Sequence, residues 1–168
     1  NETAVGDYPI EAVATMATIA KRIERDYPQR ALESHLPSTI PNAISAAVST
    51  IARQINAAAI IPLTKTGATA KNVSKFRPAT PVLAVTNEKS VASTLQLVWG
   101  VTPLLIENQT STSKTFDDAM SMAKKMKILK QGDLVVETAG TLSGVSGSTD
   151  LVKVGIVSSN EEHKTPFI

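Results

Sequence analysis

The hydrophobic positions change their period part-way along the chain. In the first third they recur at helical spacing. Ile10, Val13, Ala17 and Ala20 share one face of a segment that starts at Asp7, an N-cap residue type, has Pro9 in its first turn and runs to about Tyr27. Pro28 and Pro37 mark residues 28–38 as a linker. A second helix is predicted to begin after Ser38 or Thr39, with Pro41 near its first position. Ile44, Ala47, Val48, Ile51 and Ile55 form its apolar stripe, and Ala46, Ala52 and Ala57 keep much of the remaining surface small enough for close approach of a neighbour.

From residue 58 short apolar runs alternate with amphipathic stretches. Ala58–Leu63, Pro81–Val85, Val101–Ile106, Leu134–Glu137 and Leu151–Val157 read as strands. Between the first four lie three predicted helices: Gly67–Phe76, stopped by Arg77-Pro78; Glu88–Val98, capped by Asn87 and followed by Trp99 as a core residue; and Phe116–Leu129, opened by Asp117-Asp118 with Met120, Ala123 and Ile128 inward. Strand–helix alternation predicts an α/β fold, a three-layer α/β/α sandwich around a mostly parallel sheet of about five strands. No helix separates the last two strands, so the final one is expected to run antiparallel.

Composition narrows the chemistry. The 168 residues suit one domain, and the chain, which opens on Asn1, reads as cut from a longer protein. Aromatic residues make up only 4%, so the core rests on Ala, Val, Ile and Leu. A net charge of +2 argues against a nucleic-acid partner, and the lysines at 124, 125, 127 and 130 read as complements to a helix C-terminus. With no cysteine there is no disulfide, thiolate metal site or cysteine nucleophile. His35 and His163 are far apart, metal-ligand spacings are missing, and Glu161-Glu162 reads as a solvated tail, so neither a metal site nor a catalytic centre is predicted. No apolar run approaches the ~20 residues of a membrane span, and the expectation is a cytoplasmic domain.

Two segments remain as candidates. Thr64-Lys65-Thr66-Gly67-Ala68-Thr69 leaves a predicted buried strand and enters a helix, where free N–H groups, three threonine hydroxyls and one ammonium favour an anion. It is not a Walker A sequence, and such a turn also caps a helix with no anion bound. The second runs from Ala139 to Thr149 and holds three of the eight glycines, which makes it either a plain connector or a donor-rich ligand loop. Both leave strands at the carboxyl end of the sheet, where α/β proteins bind ligands.

These segments also carry a family likeness. Asn1-Glu2-Thr3-Ala4 with Asp7-Tyr8-Pro9-Ile10-Glu11-Ala12-Val13 resembles the segment of the pyruvate kinases that usually reads S-G-E-T-A-x-G-x-Y-P-x-E-A-V. Thr64-Lys65-Thr66-Gly67, then Phe76-Arg77-Pro78 and Val85-Thr86, are similar to its T-x-[ST]-G, [YF]-R-P and A-V-T. Gly132-Asp133 and the loop from Gly140 to Thr149 are similar to its close. The likeness covers almost all of residues 1–157 in order.

The resemblance implies a parent enzyme that transfers phosphate from phosphoenolpyruvate to ADP with magnesium and potassium, in a (β/α)₈ barrel outside this chain. It implies that residues 1–27 are the last turn and helix of that barrel, that 28–157 are the C-terminal α/β domain, and that 158–168 are a polar tail. It further implies no catalytic residue, metal or cofactor here, but a sugar-phosphate effector, fructose 1,6-bisphosphate or a sugar monophosphate. Thr64, Lys65, Thr66, Gly67 and Thr69 would hold one phosphate, and Gly140, Ser143, Gly144, Val145, Ser146 and Gly147 would form the effector loop. Lys114, with Thr115, replaces the basic residue and tryptophan that often hold a second phosphate. The implied assembly is a homotetramer for the whole enzyme and a dimer for this fragment, with neither nucleic acid nor membrane as partner. The alternatives are a purely structural oligomerisation module and a stand-alone α/β phosphate-binding enzyme.

Overall fold

The computed structural model describes residues 2–26, 38–107, 111–140 and 149–158. Five strands form one sheet: β1 (Ala59–Pro62), β2 (Val82–Thr86), β3 (Val101–Leu105), β4 (Leu134–Gly140) and β5 (Thr149–Ile156), in the order β3-β2-β1-β4-β5. The first four run parallel and β5 pairs antiparallel with β4, as the helix-free connection predicts. β1 and β2 lie inside the sheet with every residue buried, which is why they read as unbroken apolar runs. Pro103 sits in β3 at a sheet edge, where a missing N–H is tolerated.

Alternating side chains divide the core between two helical layers. Ile60, Val82 and Val136 meet Val48 and Ala52 of α2 (Ile40–Gln54) and Val73 of α3 (Ala68–Lys75). Ala84 packs with Ala70 of α3 and Leu95 of α4 (Lys89–Leu95). On the opposite face Ile61, Leu83, Val85 and Val135 meet Phe116, Ala119, Met120 and Ala123 of α5 (Thr112–Lys125). The result is the three-layer α/β/α sandwich. Each fully buried Ile, Leu or Phe in it contributes about 1.5–3 kcal/mol, and Phe116 and Phe76 are the aromatic rings buried among the described residues.

Several boundaries differ from the sequence reading, each for a local reason. α5 begins at Thr112, a turn earlier than Phe116, because Ser111 caps it by accepting from the Lys114 amide at 3.2 Å. Asp117 and Asp118 therefore lie inside the helix instead of opening it, and Ile128 lies beyond its end, half-buried. α4 is capped by Glu88, not Asn87, and stops at Leu95. Trp99 is half-buried and not core, with the Arg77 guanidinium 4.8 Å from its ring centre. In α2, Ala47 points to solvent while Ser45 is buried, its hydroxyl satisfied by the Pro41 carbonyl at 2.7 Å. β4 is longer than predicted and extends to Gly140.

The first helix, α1 (Pro9–Asp26), forms as its periodicity predicts, with Tyr8 in place of Asp7 at the cap position, its carbonyl accepting from Ala12. Its apolar residues are nevertheless open to solvent: Ile10 is 80% exposed and Met16 60%.

Candidate functional site

The turn after β1 is held by the sheet itself. The Leu63 amide donates to Thr138 on β4 at 2.8 Å, and the Thr64 amide donates to Val85 on β2 at 2.9 Å. Strand alternation places Ile61 and Leu63 toward α5 and Ile60 toward α2 and α3, so Thr64 falls on the α3 side. Thr64 is nine-tenths buried, and its hydroxyl forms no hydrogen bond among the described residues. Lys65 and Thr66 are exposed at the tip.

Gly67 then caps α3 in the left-handed conformation, φ +84°, with no side-chain cap bond. The orphan N–H groups of the first turn are therefore not taken by a capping side chain. Only glycine holds this φ without strain, and a Cβ here would stand 3.3 Å from Leu95 Cδ2. Both the backbone and the packing against α4 call for Gly67.

Thr69 links this turn to the second candidate segment. It is buried, and its hydroxyl lies 2.9 Å from that of Thr149, also buried, at the start of β5. Thr149 pairs in register with Gly140 at the end of β4, next to a register irregularity at Ala139/Gly140. The two ends of the glycine-rich loop are thus pinned together beside the phosphate-type turn. Of the loop residues singled out by sequence, Gly140 is described; Ser143, Gly144, Val145, Ser146 and Gly147 lie outside the described residues.

Lys114 and Thr115 lie at the start of α5, which packs on the other face of the sheet from α3 but, like the turn, follows the carboxyl end of a parallel strand. Lys114 is exposed. Thr115 is buried, and its hydroxyl donates to the Ser111 carbonyl at 2.7 Å, which commits it to the helix start. Sequence reasoning did not single out Lys71, Ser90 or Thr94, which line a small cleft with Thr66 and Gly67 between α3 and α4. The spacing of Gly67 and Lys71, four residues on one helix face, carried that signal. Among the described residues no three His, Cys, Asp or Glu side chains group to hold a metal ion.

The comparisons with known proteins agree with the fold. Residues 42–155 match the family described as "Pyruvate kinase, alpha/beta domain". The chain is 59% identical over 159 residues to pyruvate kinase 2 of Synechocystis sp., covering 94% of this chain and 27% of that protein. It is 42% identical over 163 residues to the pyruvate kinase of Geobacillus stearothermophilus, with the same two shares. The crystal structure of Cryptosporidium parvum pyruvate kinase superposes with a TM-score of 0.77 at 26% identity, covering 93% of this chain and 31% of that one. The chain spans little more than a quarter of the length of these two curated relatives. It belongs to the pyruvate kinase family, as the C-terminal alpha/beta domain of that enzyme.

Proposed function

We infer that this chain is the regulatory and assembly domain of a pyruvate kinase, and that its Thr64–Thr69 turn holds a phosphate of a sugar-phosphate effector, fructose 1,6-bisphosphate or a sugar monophosphate. The observation that carries this reading is the bond between the Thr69 and Thr149 hydroxyls, which places the anion-type turn and the base of the glycine loop side by side. The amides that follow Gly67, which has no side chain to cap them, and the Thr64 hydroxyl, which forms no bond among the described residues, are donors that an anion would use. Thr66→Ala is expected to weaken sugar-phosphate binding about tenfold or more, since a hydrogen bond to a charged group contributes about 1.5–3 kcal/mol. Calorimetric titration of the wild type and this variant with glucose 6-phosphate and fructose 1,6-bisphosphate tests it. Equal affinities would reduce the turn to a helix cap and leave a structural oligomerisation module.

The parent enzyme on this reading transfers phosphate from phosphoenolpyruvate to ADP in the cytoplasm, with magnesium and potassium held in its barrel. The exposed apolar side of α1 supports assigning residues 1–27 to the last turn and helix of that barrel, with 28–157 as the regulatory domain and 158–168 as a tail. The isolated chain should then show no turnover in a coupled pyruvate assay. It should also pair with itself, because β5 is a sheet edge with unpaired backbone groups and α2 packs beside β5. A dimer by sedimentation is expected for the fragment and a tetramer for the whole enzyme; the mass of one chain at high concentration would contradict the assembly role.

A further inference from the structure

Lys71 is brought to the candidate site by the fold. Its amide donates to the Gly67 carbonyl at 3.0 Å, which puts it one turn along α3 on the same face. Its side chain folds back over that turn, with Cε 3.6 Å from where a Cβ on Gly67 would stand. α4 supplies the facing wall. Thr66, Gly67 and Lys71 on one side and Ser90, Val91 and Thr94 on the other border a cleft of about 160 Å³.

The lining chemistry is selective. It comprises one ammonium, three hydroxyls and aliphatic surface, with no carboxylate. Thr94 donates its hydroxyl to the Ser90 carbonyl at 3.0 Å and so offers lone pairs to the cleft, whereas the Ser90 hydroxyl forms no bond among the described residues. Lysine and serine donors together suit an oxyanion or a hydroxyl-bearing group. The volume, about 160 Å³, is below the roughly 300–1,000 Å³ of pockets for drug-sized molecules and suits one small group. Lys114, in contrast, stands on the opposite face of the sheet.

We propose that the α3–α4 cleft is an arm of the effector site, in which Lys71 contacts the phosphate, or the oxygen next to it, of a phosphomonoester held at Thr66–Gly67. This rests on the turn being a phosphate site and makes Lys71 a specificity-determining residue of it.

The test is calorimetric titration of the full 168-residue chain with inorganic phosphate, glucose 6-phosphate and glucose, for the wild type, Lys71→Ala, Lys71→Arg and Thr66→Ala. The wild type should bind glucose 6-phosphate and not glucose. Lys71→Ala should bind it about three- to tenfold more weakly, as an exposed charge contact contributes at most a few-fold and a direct charged hydrogen bond more. The dependence on salt should fall with it. Lys71→Arg should stay within about twofold, since the charge is kept. Lys71 is exposed, so both Lys71 variants should keep the wild-type melting curve. Wild-type affinity in Lys71→Ala beside a weakened Thr66→Ala would overturn the arm and leave the turn standing. A wild type that binds neither phosphate nor glucose 6-phosphate, nor fructose 1,6-bisphosphate in a parallel titration, would overturn both.

Discussion

Glu137 and Lys153 face each other in register across the β4–β5 pair, the carboxylate wholly buried and the lysine nitrogen 3.5 Å away with its side chain partly in solvent. Glu137 also lies over Gly155, where an added Cβ would come within 2.6 Å of its Oε1. The two ends of this pair are unequal. Without Lys153 the carboxylate stays buried and loses its cation, whereas Lys153 without Glu137 can turn to water. Lys153→Met is therefore expected to destabilise the chain by about 3 kcal/mol, and Glu137→Val by less than about 1 kcal/mol, because an apolar residue of similar bulk replaces a buried charge well. Urea denaturation of both variants checks the asymmetry. Equal losses would mean that the pair acts as a unit.

Gly67 offers a second test. Its φ of +84° costs other residues about 1–2 kcal/mol, and a Cβ would press on Leu95 at 3.3 Å. Gly67→Ala should lower stability by about that amount, and Gly67→Val by more, since the branched side chain also meets Val91. A Gly67→Ala midpoint equal to that of the wild type would show that the turn relaxes away from this conformation.

How legible this fold is from sequence depends on whether packing or local chemistry sets each feature. The buried strands, β1 and β2 above all, are visible because helices cover both faces of the sheet and leave Thr86 as their one polar residue. The antiparallel β5 is visible because no helix precedes it. The start of α5 is not, because Asp117-Asp118 imitate a helix opening while Ser111 forms the actual cap bond. Trp99 is misread because its apolar bulk suggests the core, whereas Arg77 covers it at the surface. In the candidate site the turn is legible from its threonines and glycine. The Thr69–Thr149 bond and the α4 wall are not, since they join residues far apart in sequence through the sheet order.

The Thr69–Thr149 bond gives a third test. Both hydroxyls are buried, so removing one leaves the other without its partner at about 1–3 kcal/mol. Replacing both removes the unmet need as well. Thr69→Val and Thr149→Val should each destabilise the chain by about that amount, and the double variant by clearly less than their sum. Additive losses in thermal melts would mean that the hydroxyls find other partners and that the bond does not tie the turn to the loop.

Lys114 is the place where a bisphosphate and a monophosphate are expected to differ. Its amide is taken by the Ser111 cap, so only its side chain can reach an effector, and that side chain is exposed. The Thr115 hydroxyl is buried and donates to Ser111, which leaves it no share in such a contact. If Lys114 meets a second phosphate, Lys114→Ala should weaken fructose 1,6-bisphosphate by up to about fivefold, the scale of one exposed charge contact. Glucose 6-phosphate should bind Lys114→Ala as it binds the wild type, because on the proposed reading its single phosphate is held by the Thr64–Thr69 turn. Thr115→Val should lower the melting temperature without changing either affinity. Titrations of both sugars into the two variants decide it: an equal loss for both sugars would place Lys114 at the first phosphate, and no loss for either would show that Lys114 contacts neither sugar.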